Sequence, residues 1–370
     1  MQTAFKIVPM PTPAPLPGAA PSPRSLRADE LVFPTGLEEF PSVFEARKGD
    51  PSLPRFIGQH QAAIKAELRE RGTVLFRGFA VADADEFEAA LTAADLSASP
   101  DYPFGVSPRR AVTKRVFNST DYANFLVIPP HTEMAYMRWR PRWIAFYCHV
   151  EPKQYGETPV YDMAKALELL PPALRQRLEQ GDMRYVRFIR HKAAIVRFER
   201  TIQETFGTTD RGAIEAACRS LDIDAKWIGD KFLRAETVLP AVIKHPESGK
   251  KCLNAQFING KILMAGIARI RDRYPFPVRH LFNAYIRKQF RKPTVHYRST
   301  PATGPDFTDA EMDVINDAIR GASTIFRWNR GDVIVIDNIR AAHGRLNVKG
   351  ERRILTALGD MYDVKSAQRA

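Results

Sequence analysis

The stretch Gly331-Asp332-Val333-Ile334-Val335-Ile336-Asp337-Asn338-Ile339-Arg340-Ala341-Ala342-His343-Gly344-Arg345 decides how the chain is read. Gly331-Asp332 turns into four β-branched residues with no polar interruption, the mark of a strand buried on both faces. A rigid strand of this kind can present the histidine that follows it, His343, to a segment far away in sequence. Ten residues beyond His343, Arg353 opens another apolar strand, Ile354-Leu-Thr-Ala-Leu358. An Arg at the mouth of a strand can grip a carboxylate in a bidentate fork, a charge-assisted contact worth roughly 1.5–3 kcal/mol.

The segment that would meet His343 is Pro129-Pro130-His131-Thr132-Glu133. Its prolines exclude helix and keep the chain extended. In a strand, residues i and i+2 point to one face, so His131 and Glu133 project together while Thr132 points away. One imidazole and one carboxylate make two corners of a metal site. A second imidazole from a distant strand completes a 2-His-1-carboxylate facial triad, which leaves three positions open and is the arrangement of non-haem Fe(II) oxygenases. H-x-E alone arises often by chance, so its weight here comes from His343. The other six histidines have no such neighbours.

The remaining pattern is mostly short strands punctuated by Pro and Gly. Residues 9–23 hold seven prolines, which suit neither helix nor sheet ladder. Residues 1–30 therefore read as a flexible proline-rich arm, followed by one domain over 31–370. His60–Arg71 reads as a helix ended at Gly72, Thr73–Phe79 and Trp143–Val150 as strands, and Ala241–Leu253 as a hairpin. Thr308 and Glu311 stand at capping-box spacing before a further helix. A helical insertion is expected over about 164–235, so the fold class is mainly β (α+β), with helices added to a β-rich core.

Composition narrows the function classes. The chain has 370 residues, 44% hydrophobic and 26% charged, enough to bury a core without disulfides or structural metal. Three scattered cysteines make neither a disulfide framework nor a zinc cluster and suit a reducing, cytoplasmic setting. No apolar run reaches the roughly 18 residues of a membrane span. The net charge of +13 favours anionic partners, and the densest basic stretch is Arg184–Arg200. A solvated face is the commoner meaning of such a stretch, and a nucleic-acid contact the alternative.

In order, these motifs resemble the TauD/TfdA family of Fe(II)- and 2-oxoglutarate-dependent dioxygenases, in its clavaminate synthase-like and SyrP-like branch. The resemblance also covers Gly72–Phe79, His131-Thr-Glu-Met-Ala-Tyr136, Phe146-Tyr-Cys148, Gly156-Glu-Thr-Pro159 and Trp328–Val333. It implies a double-stranded β-helix (jelly-roll) core, with Fe(II), 2-oxoglutarate and O2 as cofactor and cosubstrates. It further implies that His131, Glu133 and His343 bind the metal, and that Thr158 and Arg353 hold 2-oxoglutarate. Ala357 stands where taurine-using members carry the Arg for the sulfonate, so taurine is not the expected substrate. A carboxylate at position 133 also speaks against halogenation. The resemblance points to hydroxylation, desaturation or cyclisation of an amino-acid-like metabolite in natural-product biosynthesis. That substrate is either free or tethered to an acidic carrier protein, and Arg340 and Arg345 are candidate anchors for its carboxylate. The competing readings are a nucleic-acid demethylase of the same chemistry and a non-catalytic jelly-roll binding protein.

Overall fold

Because Val333–Asp337 is apolar on both faces, it sits inside a sheet with packing on either side. A computed structural model shows this strand, β15, in a six-stranded sheet. The order is β1 (Ser42–Glu45), β2 (Thr73–Arg77), β15 (Val333–Asp337), β5 (Trp139–Val150), β18 (Arg353–Asp363) and β3 (Phe117–Asn118). The described residues are 21–32, 36–37, 39–50, 52–99, 105, 109–120, 124, 126–192, 200–254, 256–257, 268, 272, 275–290 and 298–366, with the backbone alone for 285–290 and 298. Residues 1–20 of the expected arm and residues 193–199 of the basic stretch lie outside them.

The sheet's outer face packs Val74, Phe76, Tyr147, Val335, Leu355 and Ala357 beneath α1 (Leu53–Arg71) and α2 (Ala84–Ala93). Its inner face, with Ile144, Phe146, Ile334, Ile336, Ile354 and Leu358, meets Val160 and Ala341 of a second sheet. That sheet runs β14 (Ser323–Thr324), β7 (Val160–Asp162), β16 (Ala341–Arg345) and β4 (Ile128–His131), all antiparallel. Two facing sheets over one apolar layer make the expected jelly roll. A short pair, β6 (Gln154–Tyr155) with β17 (Val348–Lys349), flanks it.

The insertion is not purely helical, contrary to the expectation. It contains α3 (Met163–Glu168), α4 (Pro172–Gln180), α5 (Ile202–Phe206) and α6 (Arg211–Ser220). It also contains β8 (Asp182–Arg190), β9 (Asp224–Ile228) and β10 (Phe232–Pro240), which join β13 (Arg298–Pro301) in a third sheet. The period-2 burial of Met183, Tyr185, Arg187 and Ile189 selects strand for β8. The hairpin β11 (Val242–Lys244) with β12 (Lys251–Leu253) forms as expected, and α7 (Phe276–Phe290) and α8 (Asp309–Gly321) follow. Thr308 and Glu311 close their capping box at the start of α8. No helix among the described residues is long and apolar enough to cross a membrane.

The folded chain begins before Leu31, the start expected from the proline pattern. The backbones of Arg24 and Val43 exchange two hydrogen bonds of 2.9 Å, and Glu30 is buried among Arg24, Arg27 and Arg77. Ion pairing fixes this short segment onto β1 where apolar periodicity gives no signal.

Candidate metal centre

The register of β16 on β4 sets His343 directly opposite His131. Such cross-strand neighbours have Cβ atoms about 4.5–5.5 Å apart, and here the ring centroids are 4.4 Å apart. Nδ1 of His131 lies 2.9 Å from the Pro129 carbonyl, which can only accept, so Nδ1 carries a hydrogen and Nε2 is the ring nitrogen left to face the cavity. His343 is buried, and that burial, followed by the nearby His131 and Arg109, pushes its pKa well below the usual value. It is therefore the neutral, ligating form of the ring that sits there. Among the described residues its Nδ1 has no hydrogen-bond partner.

Glu133 joins the pair by a different route from the one strand alternation suggests. β4 stops at His131, and Glu133 lies in the turn that follows, beside Met134 with φ of 57°. Two hydrogen bonds to Asn338 hold its peptide there. Glu133 Oε2 lies 4.0 Å from His343 Nε2, and one ligand atom from each of the three residues falls within 4.8 Å of the others. Two imidazoles and one carboxylate fit Fe(II) in type and number. Arg109, which no sequence pattern marks, donates from Nη2 to Glu133 Oε2 at 2.6 Å.

The three side chains open on a cavity of about 120 Å³ whose wall also carries Arg109, Thr158, Arg345 and Arg352. Thr158 Oγ1 accepts hydrogen bonds from Trp328 Nε1 and Arg352 Nη2, both at 3.1 Å. With both lone pairs taken, its own hydrogen is left to donate. Arg352 also donates from Nε to the Gly156 carbonyl at 2.7 Å. Burial, then the like charge of Arg345, brings the Arg352 guanidinium down to about 9.

Two expected site residues are elsewhere. Arg353 is exposed, and the Arg at the cavity is its neighbour Arg352. Strand alternation explains the exchange. Ile354 and Leu358 face the jelly-roll interior while Leu355 and Ala357 face the helices, so Arg352 shares the inner parity and Arg353 the outer one. The residue four beyond Arg352 is Thr356, which donates its hydroxyl to the Ala145 carbonyl, so that position again lacks a cation. Arg340, the expected anchor for a substrate carboxylate, does not line the cavity either. It forms a buried ion pair with Asp162, the N-cap of α3, and packs over Gly72 so closely that a Cβ there would stand 2.3 Å from its Cγ. Arg345 does reach the cavity, with Nη2 donating to the Leu126 carbonyl at 3.0 Å.

Three arginines of the basic stretch are engaged within the protein. Arg184 pairs with Glu236, Arg187 lies 4.6 Å from the Tyr136 ring centroid, and Arg190 lies 5.0 Å from that of Phe232. His245, one of the six histidines without suggestive neighbours, turns out to be structural. It is buried, with Nε2 2.8 Å from Asp337 Oδ2. Burial alone would raise the Asp337 carboxyl, but His245 and Arg142 hold it down at about 2.

A jelly roll with two histidines and a carboxylate opening on one cavity is the arrangement of non-haem iron oxygenases. The chain belongs to the family described as "Taurine catabolism dioxygenase TauD, TfdA family", whose sequence model matches residues 37–358. The expected Fe(II), 2-oxoglutarate and O2 are the cofactor and cosubstrates of that family, and the donor set suits the metal. The chain is 28% identical to the dapdiamide synthesis protein DdaC of Enterobacter agglomerans over 86% of its length and 91% of that protein's. It is 30% identical to a clavaminate synthase-like protein of Arabidopsis thaliana, over 83% and 88% respectively. The crystal structure of the PvcB protein from Pseudomonas aeruginosa shares the fold, with 16% identity, 97% of each chain covered and a TM-score of 0.54.

Proposed function

We propose that the protein hydroxylates an amino-acid-like, carboxylate-bearing metabolite in a biosynthetic pathway, using Fe(II), 2-oxoglutarate and O2. His131, Glu133 and His343 are the metal ligands in this reading, and Thr158 with Arg352 holds the far carboxylate of 2-oxoglutarate. The observation that carries it is the opposition of His131 and His343 across β4 and β16, opening on the same cavity as Thr158 and Arg352. Similarity to a dapdiamide synthesis protein supports the biosynthetic setting.

When bound, iron supplies the oxidising power: 2-oxoglutarate and O2 go to succinate and CO2 while one oxygen atom enters a substrate C–H bond. The chain's own residues bind and orient. His131 is locked in one tautomer by Pro129, and the neutral ring of His343 is packed against Phe146 with centroids 5.0 Å apart, which keeps water from that side. Thr158 offers its one uncommitted hydrogen to the cosubstrate's carboxylate. Arg352, still cationic at neutral pH, gains an anionic partner that offsets the repulsion from Arg345. Arg345 stands on the cavity wall as the candidate anchor for the substrate's carboxylate.

Anaerobic addition of Fe(II) and then 2-oxoglutarate should produce the weak visible charge-transfer band of the chelate. His131→Ala and His343→Ala should abolish it. A panel of free and carrier-loaded amino acids, scored by succinate release, then identifies the substrate: turnover of the free acid keeps the Arg345 anchor, and turnover of the carrier-loaded thioester alone, which has no free carboxylate, replaces it with docking of an acidic carrier on the +13 chain. Wild-type protein without the band, or a band that survives in both variants, would sink the reading.

A further inference from the structure

We propose that Asn338 is a positioning residue for the metal centre: its carboxamide holds the Glu133 peptide in register with His343. The inference rests on the metal-site reading above. Glu133 lies beyond the end of β4, so no strand ladder satisfies its backbone, and a buried peptide group left unpaired is costly. Asn338 satisfies both ends. Its Oδ1 accepts from Glu133 N at 2.6 Å, and its Nδ2 donates to Glu133 O at 2.9 Å and to Pro141 O at 2.8 Å. This pattern admits one orientation of the amide, because the N–H needs the oxygen and the two carbonyls need the nitrogen.

Asn338 can act as an anchor because it is itself fixed. It is fully buried in the turn between β15 and β16, and its N–H donates to the Arg142 carbonyl at 2.9 Å. The preceding Asp337 accepts from Ile339 N at 2.9 Å and Arg340 N at 3.1 Å through one oxygen, and binds Arg142 and His245 through the other. The same turn feeds β16 and so sets His343 five residues later. One rigid corner thus places a histidine through its strand and a carboxylate through its side chain, across 205 positions of sequence.

The test uses Co(II) alone as the probe, titrated calorimetrically into the full chain, with thermal midpoints measured alongside. Asn338→Asp keeps the shape but sets a carboxylate oxygen against two carbonyls, and Asn338→Ala removes the contacts. Both are expected to weaken Co(II) binding about 10- to 100-fold, as outer-shell losses do. Trp143→Phe, which loses the 2.7 Å bond from Trp143 Nε1 to Asp360, should lower the thermal midpoint yet leave Co(II) binding unchanged. Wild-type Co(II) affinity in Asn338→Asp, within twofold, would overturn the proposal while leaving the metal-site reading intact. A variant carrying His131→Ala and His343→Ala that retains the wild-type Co(II) affinity would overturn both. Independently of whether the variants fold, hydrogen exchange in the metal-free wild type should find the Glu133 amide as protected as those of central β5. Exchange at the rate of an exposed loop would also end the proposal.

Discussion

Thr158 and Arg352 act as one unit, because the hydroxyl can aim its hydrogen into the cavity only while Trp328 and Arg352 fill its lone pairs. The family motif points to Arg353 for the 2-oxoglutarate contact, and the side-chain positions point to Arg352. Arg352→Ala should therefore raise the KM for 2-oxoglutarate by about 10- to 100-fold, the equivalent of roughly 1.5–3 kcal/mol for a charge-assisted contact. Arg353→Ala, which removes an exposed side chain, should leave it within about twofold. The reverse result in succinate-release assays would return the role to Arg353. The three side chains that the structure brings together, His131, Glu133 and His343, were legible in the sequence because metal chemistry limits the choice to few residue types at short spacings. Arg109 was not, since a guanidinium brought in by a loop leaves no periodic or motif trace.

Strand register explains which parts of the site could be read ahead of the structure. A β-branched run leading to His343 implies a strand, and two prolines before His131 imply another, but their pairing is a long-range event that neither segment encodes alone. Glu133 shows the limit of alternation, because the strand ends before it and a remote side chain takes over. Arg352 also lies just outside its strand, one residue before β18, but there the chain continues the inner parity of Ile354 and Leu358. The pairing of β4 with β16 also depends on Gly344. A Cβ there would stand 2.8 Å from the Ile128 carbonyl, a backbone atom that cannot swing aside. Gly344→Ala should push β4 away from β16 and separate His131 from His343. We expect a loss of about 1–3 kcal/mol in stability and at least tenfold weaker Co(II) binding, measured by denaturant titration and calorimetry. Unchanged metal affinity would mean that the two rings do not depend on this close approach.

Across the whole molecule, the jelly roll follows from apolar strand patterns, whereas the peripheral pieces are held by charge and are harder to read. The third sheet is interleaved with helices, and Arg24–Glu30 adheres through ion pairs that no periodicity announces. In that segment Glu30 meets Arg24 at 2.7 Å, Arg27 at 2.9 Å and Arg77 at 3.0 Å, and Arg77 continues to Asp332 at 2.6 Å. Burial alone would raise Glu30, but its bonds to Arg24, to the Arg27 backbone and to Arg77 bring it from 4.5 down to about 2. A carboxyl lowered by folding stabilises the native state above its unfolded value and loses that contribution as pH falls through the folded one. The relevant window therefore runs from about pH 4.5 to about pH 2. Asp332 has the opposite sign: burial outweighs its bond to Arg77 and raises it, so its protonation in acid does not add to the loss. Glu30→Gln should lower the thermal midpoint at pH 7, and its gap to the wild type should narrow as the pH is brought from 5 towards 2.5. A gap that stays constant over that range would show that the segment is held by packing of Leu26 and Leu31 rather than by the Glu30 charge.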